Sequence, residues 1–115
     1  MLQSVNPREM NHFTDQAGFK AIRSQPTWLF KAVQPHAKHH PIGAYFTDYA
    51  PTEPNLAKKI FVPRSKLAFV FSFRLPTPML ALPGGRGRLG RIFYSPRDYA
   101  VEIPHQLHSG ATGIQ

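Results

Sequence analysis

The chain has 115 residues, 42% of them hydrophobic and 12% aromatic, a length and composition that suit one domain spanning 1–115 around a single core. Cysteine is absent, which excludes disulfide staples and thiolate metal sites. No apolar run approaches the ~20 residues of a membrane helix, and Met1-Leu-Gln-Ser-Val-Asn-Pro7 lacks the charge and apolar stretch of a signal peptide, so a soluble, monomeric domain is expected.

Fourteen Lys and Arg against six Asp and Glu give a net charge of +8, a field that draws polyanions such as RNA. The same charge also serves solubility alone. The basic residues Lys58-Lys59, Arg64, Lys66, Arg86, Arg88 and Arg91 are scattered rather than blocked, and no recognised nucleic-acid motif contains them.

Along the chain, Thr14 suits an N-cap, Asp15 suits the helix dipole, and Phe19 and Ile22 repeat at helical spacing, predicting a helix over Asp15–Arg23 that Ser24-Gln25-Pro26 ends. Residues 26–43 hold three prolines and three histidines without a period and read as a long loop. Gly43–Thr47 is apolar and aromatic enough for a short strand. Pro51-Thr-Glu-Pro54 predicts a turn into a helix capped by Thr52, with Leu56 and Ile60 on its buried face and its end before Pro63. The strongest strand signal follows, where Leu67, Phe69, Phe71, Phe73 and Leu75 alternate with smaller or polar residues, as expected of a central strand. A Pro- and Gly-rich excursion then leads to two further strands, Arg91–Tyr94 and Asp98–Ile103, and to a frayed tail after Gly110.

Two motif-like runs lose their force in context. Gly85-Arg-Gly-Arg-Leu-Gly90 has the letters of a dinucleotide fingerprint, but prolines precede it and a strand follows, so no helix N-terminus would meet a pyrophosphate. It reads as a flexible basic loop. His36, His39 and His40 lie among prolines with no carboxylate or cysteine nearby to complete a tetrahedral set, so no metal is expected. No Gly-x-Ser-x-Gly elbow supports a hydrolase triad.

Three separated stretches remain: His12-Phe-Thr14 before the first helix, Gly43-Ala-Tyr-Phe46 in the short strand, and the late acidic run Arg97-Asp-Tyr-Ala-Val-Glu-Ile103. Adjacent Tyr45 and Phe46 must point to opposite faces of a strand, so one serves the core and the other the loop side. The combination resembles the His-Tyr-Asp/Glu class of ADP-ribosyltransferases, and most of all the His-Tyr-Asp-signature domains at the ends of bacterial polymorphic toxins. The resemblance covers roughly residues 10 to 110, and none of its motifs is specific alone.

That resemblance implies a small α+β fold in which two packed sheets form an NAD cleft with short flanking helices. It implies that His12 sits on a strand edge just before the first helix and bonds a ribose hydroxyl of NAD. The backbone of Phe13 would pair with the nicotinamide amide, which needs one donor and one acceptor, so Phe is tolerable where poly(ADP-ribose) polymerases carry glycine. Tyr45 would stack on the cationic nicotinamide. Thr14, Gly43 and Phe46 complete the implied cofactor-binding set. Many relatives add a second tyrosine on the following helix; Asn55–Ile60 has none, which leaves Leu56 or Phe61 as apolar substitutes. Asp98 would stabilise the cationic ribose centre in the transition state, with Glu102 in reserve on the same face of a regular strand. The implied activity is transfer of ADP-ribose from NAD to a protein or structured RNA by a delivered effector acting in a target-cell cytoplasm, paired with a cognate immunity protein. Two alternatives stay open: an NAD glycohydrolase using the same pocket, and a basic non-catalytic RNA-binding module with Phe13, Tyr45 and Tyr99 as stacking platforms.

Overall fold

The computed structural model of the protein describes residues 9–34, 40–75, 79–81 and 92–114. Six strands, β1 (Glu9–Thr14), β3 (Ala44–Thr47), β4 (Phe69–Arg74), β5 (Leu80–Ala81), β6 (Ile92–Ser95) and β8 (Gln106–Ala111), form an antiparallel sheet in the order β5-β6-β3-β1-β4-β8. A second sheet pairs β2 (Trp28–Phe30) with β7 (Tyr99–Val101). The helices α1 (Gln16–Arg23) and α2 (Leu56–Lys59) are short, and among the described residues no helix is long and apolar enough to cross a membrane. This is a small α+β domain built on a six-stranded antiparallel sheet and a two-stranded one.

Strand alternation decides which side chains meet. Met10, Phe46, Phe71, Phe73 and Phe93 of the large sheet face Trp28, Phe30, Tyr99 and Val101 of the small one in the main core. Trp28 meets Phe71 edge-on at 4.8 Å, and Phe30 stacks on Phe73 at 5.5 Å. Each such ring buried contributes about 2–3 kcal/mol over exposure, so this layer holds the two sheets together. Phe19 of α1 stacks on Phe69 at 4.5 Å and closes one end. The opposite face of the large sheet carries two smaller clusters. One is Tyr49, Leu56 and Leu67 with Phe13, Ile60 and Val62; the other is Ile92 and Tyr94 with Tyr45 and Phe61.

Several boundaries depart from the sequence-based expectations. Asp15, not Thr14, caps α1: its Oδ1 accepts from the Gly18 N–H at 2.9 Å and its Oδ2 from Lys66 Nζ at 2.7 Å. Thr14 ends β1 instead, buried against Gly18, where an added Cβ would stand 2.0 Å from the Thr14 hydroxyl oxygen. The expected loop over 26–43 contains β2, whose three residues are too few to display a period. The helix expected to start at Thr52 begins at Leu56, because Glu53 N–H closes a turn on Ala50 O and Asn55 adopts a left-handed conformation (φ 56°). Leu67 closes a 3-10 turn and packs in the far-side cluster, so β4 starts at Phe69. Val70, on the face expected to be small or polar, is buried as well.

The last expected strand shrinks to Tyr99–Val101, since Pro104 lacks the N–H to continue a ladder and sits in a 3-10 turn over Ile103–His105. β8 then runs where only loop and tail were expected, pairing with β4 through Ala111. Beyond it Thr112 N–H and Oγ1 bond to Ala68 O and Leu67 O, and Ile114 packs on the far-side cluster, so residues 112–114 are anchored rather than frayed. The Gly85–Gly90 run, His36, His39 and Arg91 lie outside the described residues.

Candidate functional site

The large sheet opens between β1 and β3. These strands share a single pair, Asn11 with Thr47, and then diverge, while β1 keeps all six of its pairs with β4 and β3 all four of its pairs with β6. A backbone carbonyl left without a ladder partner at such a split needs another donor. His12 supplies it: Nδ1 lies 2.9 Å from Tyr45 O, so an imidazole bridges the gap between the two strands. The residues that the sequence singled out in separate motifs are therefore joined directly.

A carbonyl oxygen only accepts, so Nδ1 of His12 carries the hydrogen and Nε2 is left with its lone pair. The ring packs 4.6 Å from Phe30 and 5.5 Å from Phe46. Burial lowers its pKa from 6.5 to about 4; the bond to Tyr45 O opposes this and the charge of Lys66 adds to it. Part of the residue's surface is accessible nonetheless, because it borders a cavity rather than bulk water. His12 is thus a neutral hydrogen-bond acceptor over the physiological range.

The cavity, about 590 Å³, falls in the range of sites that enclose small organic ligands. Its walls are mainly apolar and aromatic, with His12, Phe13 and Thr14 from β1, Gly43, Tyr45, Phe46 and Thr47 from β3 and its approach, and Phe30 from β2. All six residues expected to bind the dinucleotide line this one space. Gly43 is required sterically, since a Cβ there would approach Ser95 O to 2.7 Å and Tyr94 Cδ2 to 3.0 Å.

Tyr45 and Phe46 divide as the alternation required. Phe46 enters the main core, and Tyr45 turns to the other face, parallel to Tyr94 at 5.4 Å and to His40 at 6.1 Å. Its hydroxyl donates to Pro41 O at 2.5 Å. Burial, and then the neighbouring Tyr94, push its pKa up to about 12, so the phenol stays neutral and offers a ring face rather than a proton acceptor. Of the two candidates for the opposing apolar wall, Leu56 is buried in the far-side cluster, while Phe61 lines the cavity with His40 edge-on to it at 5.3 Å. Phe61 holds a left-handed backbone (φ 60°), which costs a bulky residue roughly 1–2 kcal/mol. Phe61 is thus the one of the two apolar substitutes that borders the cavity, while His40, read only as a loop histidine, is brought to Tyr45 by the fold.

Asp98 is not brought to this cavity. It stands just before β7 on the small sheet, where Oδ1 accepts from Ala32 N–H at 2.7 Å and Oδ2 lies 3.9 Å from Lys31 Nζ, with side chains 46% and 69% exposed. Glu102 follows β7 and is exposed, so the two acids flank a three-residue strand instead of sharing the face of a longer one. The other four acids are equally accounted for. Glu9 is exposed at the start of β1, Asp15 caps α1, Asp48 follows β3, and Glu53 pairs with Lys59 at 2.5 Å. None of the six lines the cavity, whereas Lys31, Lys66, His12 and His40 do.

Of the three aromatic platforms that an RNA-binding reading would use, Tyr99 is only 5% exposed and belongs to the main core. Among the described residues no group of three His, Cys, Asp or Glu side chains could hold a metal ion. No protein-family model, curated protein or solved structure matches the chain.

Proposed function

We propose that the split between β1 and β3 is a dinucleotide site and that the protein is an NAD-dependent ADP-ribosyltransferase. The observation that carries this reading is the direct link from His12 Nδ1 to Tyr45 O inside a cavity bordered by all the residues that the family resemblance assigns to NAD. In this role Nε2 of His12 accepts a hydrogen bond from a ribose hydroxyl, and the fixed tautomer and low pKa keep that acceptor available. The edge of β1 at Phe13, where β3 has turned away, offers backbone groups to the nicotinamide amide. Tyr45 and Phe61 bracket the nicotinamide ring, whose positive charge is attracted to aromatic faces. Cleavage of the bond from nicotinamide to ribose then passes ADP-ribose to a macromolecular acceptor.

NAD at millimolar concentration should raise the melting temperature of the wild-type protein, because a ligand that binds only the native state stabilises it by mass action. The shift should vanish in Tyr45→Ala while that variant still unfolds cooperatively. An unchanged wild-type melt with NAD would remove the basis of this reading.

A further inference from the structure

We infer that the acceptor brings its own negative charge to the reaction, as a terminal phosphate monoester on a nucleic-acid strand. This inference rests on the NAD reading above and deepens it. Breaking the nicotinamide bond leaves the ribose carbon strongly cationic, and a negative charge beside it is worth most at that moment. The chain does not supply one from the cavity wall. It has six carboxylate side chains, all six lie among the described residues, and none borders the cavity. Two acids pair with lysines of the wall without lining it: Asp15 is held by Lys66 and the Gly18 N–H, and Asp98 by the Ala32 N–H beside Lys31.

What the cavity does present is positive. Lys31 and Lys66 border it, and Lys31 is the more exposed of the two, 3.9 Å from its acidic neighbour where Lys66 is 2.7 Å from its own. A dianionic phosphate oxygen is drawn to such a rim and supplies the missing charge at the reacting carbon. It also removes a second requirement. A hydroxyl or guanidinium acceptor must lose a proton as it attacks, but Tyr45 is neutral and donates its hydrogen to Pro41 O, and His12 is a weak base with Nδ1 committed to Tyr45 O. Among the described residues His40 is the only other imidazole on the wall, and its ring lies against Tyr45 and Phe61.

With a phosphate monoester no proton moves. One phosphate oxygen forms a bond to the ribose carbon, the bond from that carbon to nicotinamide breaks, and its electron pair leaves on nicotinamide, which departs neutral. The product is a phosphodiester joining ADP-ribose to the strand end. A net charge of +8 favours a polyanionic strand over a phosphorylated peptide as the bearer of that phosphate.

The test uses the full chain with NAD and one of four additions: an oligoribonucleotide ending in a 5′-phosphate, the same oligonucleotide ending in a 5′-hydroxyl, a phosphoserine peptide, or buffer alone. Nicotinamide release and mass of the product are read in each. The 5′-phosphate strand should release nicotinamide about a hundredfold faster than the 5′-hydroxyl strand, gain the mass of one ADP-ribose, and become resistant to phosphatase. Lys31→Ala should raise KM for that strand about tenfold with little change in kcat, and Lys31→Arg should restore it. Equal rates with the hydroxyl strand, transfer to the phosphopeptide alone, rapid release in buffer alone, or no release with any addition would each overturn the phosphate-end acceptor. In all four cases a retained NAD shift in melting temperature would leave the dinucleotide site standing, whereas loss of that shift would overturn both.

Discussion

His12 should make the fold acid-sensitive in a window that its surroundings define. Burial holds the folded-state pKa at about 4 against 6.5 for the ordinary imidazole. Above pH 6.5 the ring is neutral in both folded and unfolded chains, and its contribution is fully present. As pH falls from 6.5 toward 4, the unfolded chain takes up a proton that the folded one refuses, and stability is lost progressively. That interval is worth about 3 kcal/mol, a substantial share of the 5–15 kcal/mol typical of a domain. His12→Asn isolates the effect, because the Asn amide can donate to Tyr45 O from nearly the same place as Nδ1 and does not titrate. Urea unfolding of both proteins at several pH values gives the comparison. The variant's stability relative to wild type should be constant above pH 6.5 and should rise by about 3 kcal/mol on going to pH 4. Asp15, whose pKa Lys66 and then the Gly18 N–H hold down, adds its own loss at still lower pH, but equally in both proteins, so it cancels. A stability difference that stays flat between pH 7 and pH 4 would refute the burial argument.

Gly43→Ala should destabilise the domain by about 1–3 kcal/mol, since the new Cβ meets Ser95 backbone oxygen at 2.7 Å and that backbone belongs to the adjoining β6; unchanged chemical denaturation would contradict the close approach. Phe61→Gly should change stability by less than about 1 kcal/mol, because relief of the left-handed backbone offsets the lost packing. The same variant should weaken NAD binding about tenfold in titration calorimetry if the ring is one wall of the nicotinamide slot; intact affinity would take Phe61 out of the site.

The parts of the fold legible in the sequence are those with enough residues to display a period. Phe69, Phe71 and Phe73 announce β4, and the apolar run to Thr47 announces β3. β2 and β7 escape or shrink because three-residue strands carry no alternation to count, and what makes them strands is their mutual pairing, Trp28 with Val101 and Phe30 with Tyr99. β8 escapes for another reason. Gln106-Leu-His-Ser-Gly-Ala111 is an edge strand, mostly half-buried or exposed, so its composition is polar and its conformation is imposed by the β4 edge beside it. Local propensity also misplaced both helix starts, where Asp15 and Asn55 stand at positions fixed by Lys66 and by a preceding turn.

The candidate site divides along the same line. His12 and Tyr45 were legible as residue types in suggestive company, and the split between β1 and β3 gives them a physical reason to meet, since the imidazole satisfies a carbonyl that the diverging strand cannot. Phe61 was legible as one of two apolar candidates for the wall opposite Tyr45, but nothing in the sequence chose it over Leu56 or set His40 beside it, because a left-handed aromatic after a four-residue helix and a loop histidine become walls only once β3 and β6 align Tyr45 with Tyr94. Asp98 was legible as an acid leading an aromatic-aliphatic strand, but which sheet that strand joins is a matter of topology. Pairing with β2 places the acid beside Lys31 and the Ala32 N–H, on the layer that covers the main core rather than on the strands that open. The consequence is chemical as well as structural. Along the opening a neutral imidazole, aromatic rings and two lysines face the space, so under the NAD reading proposed above negative charge at the ribose carbon would arrive with the second substrate.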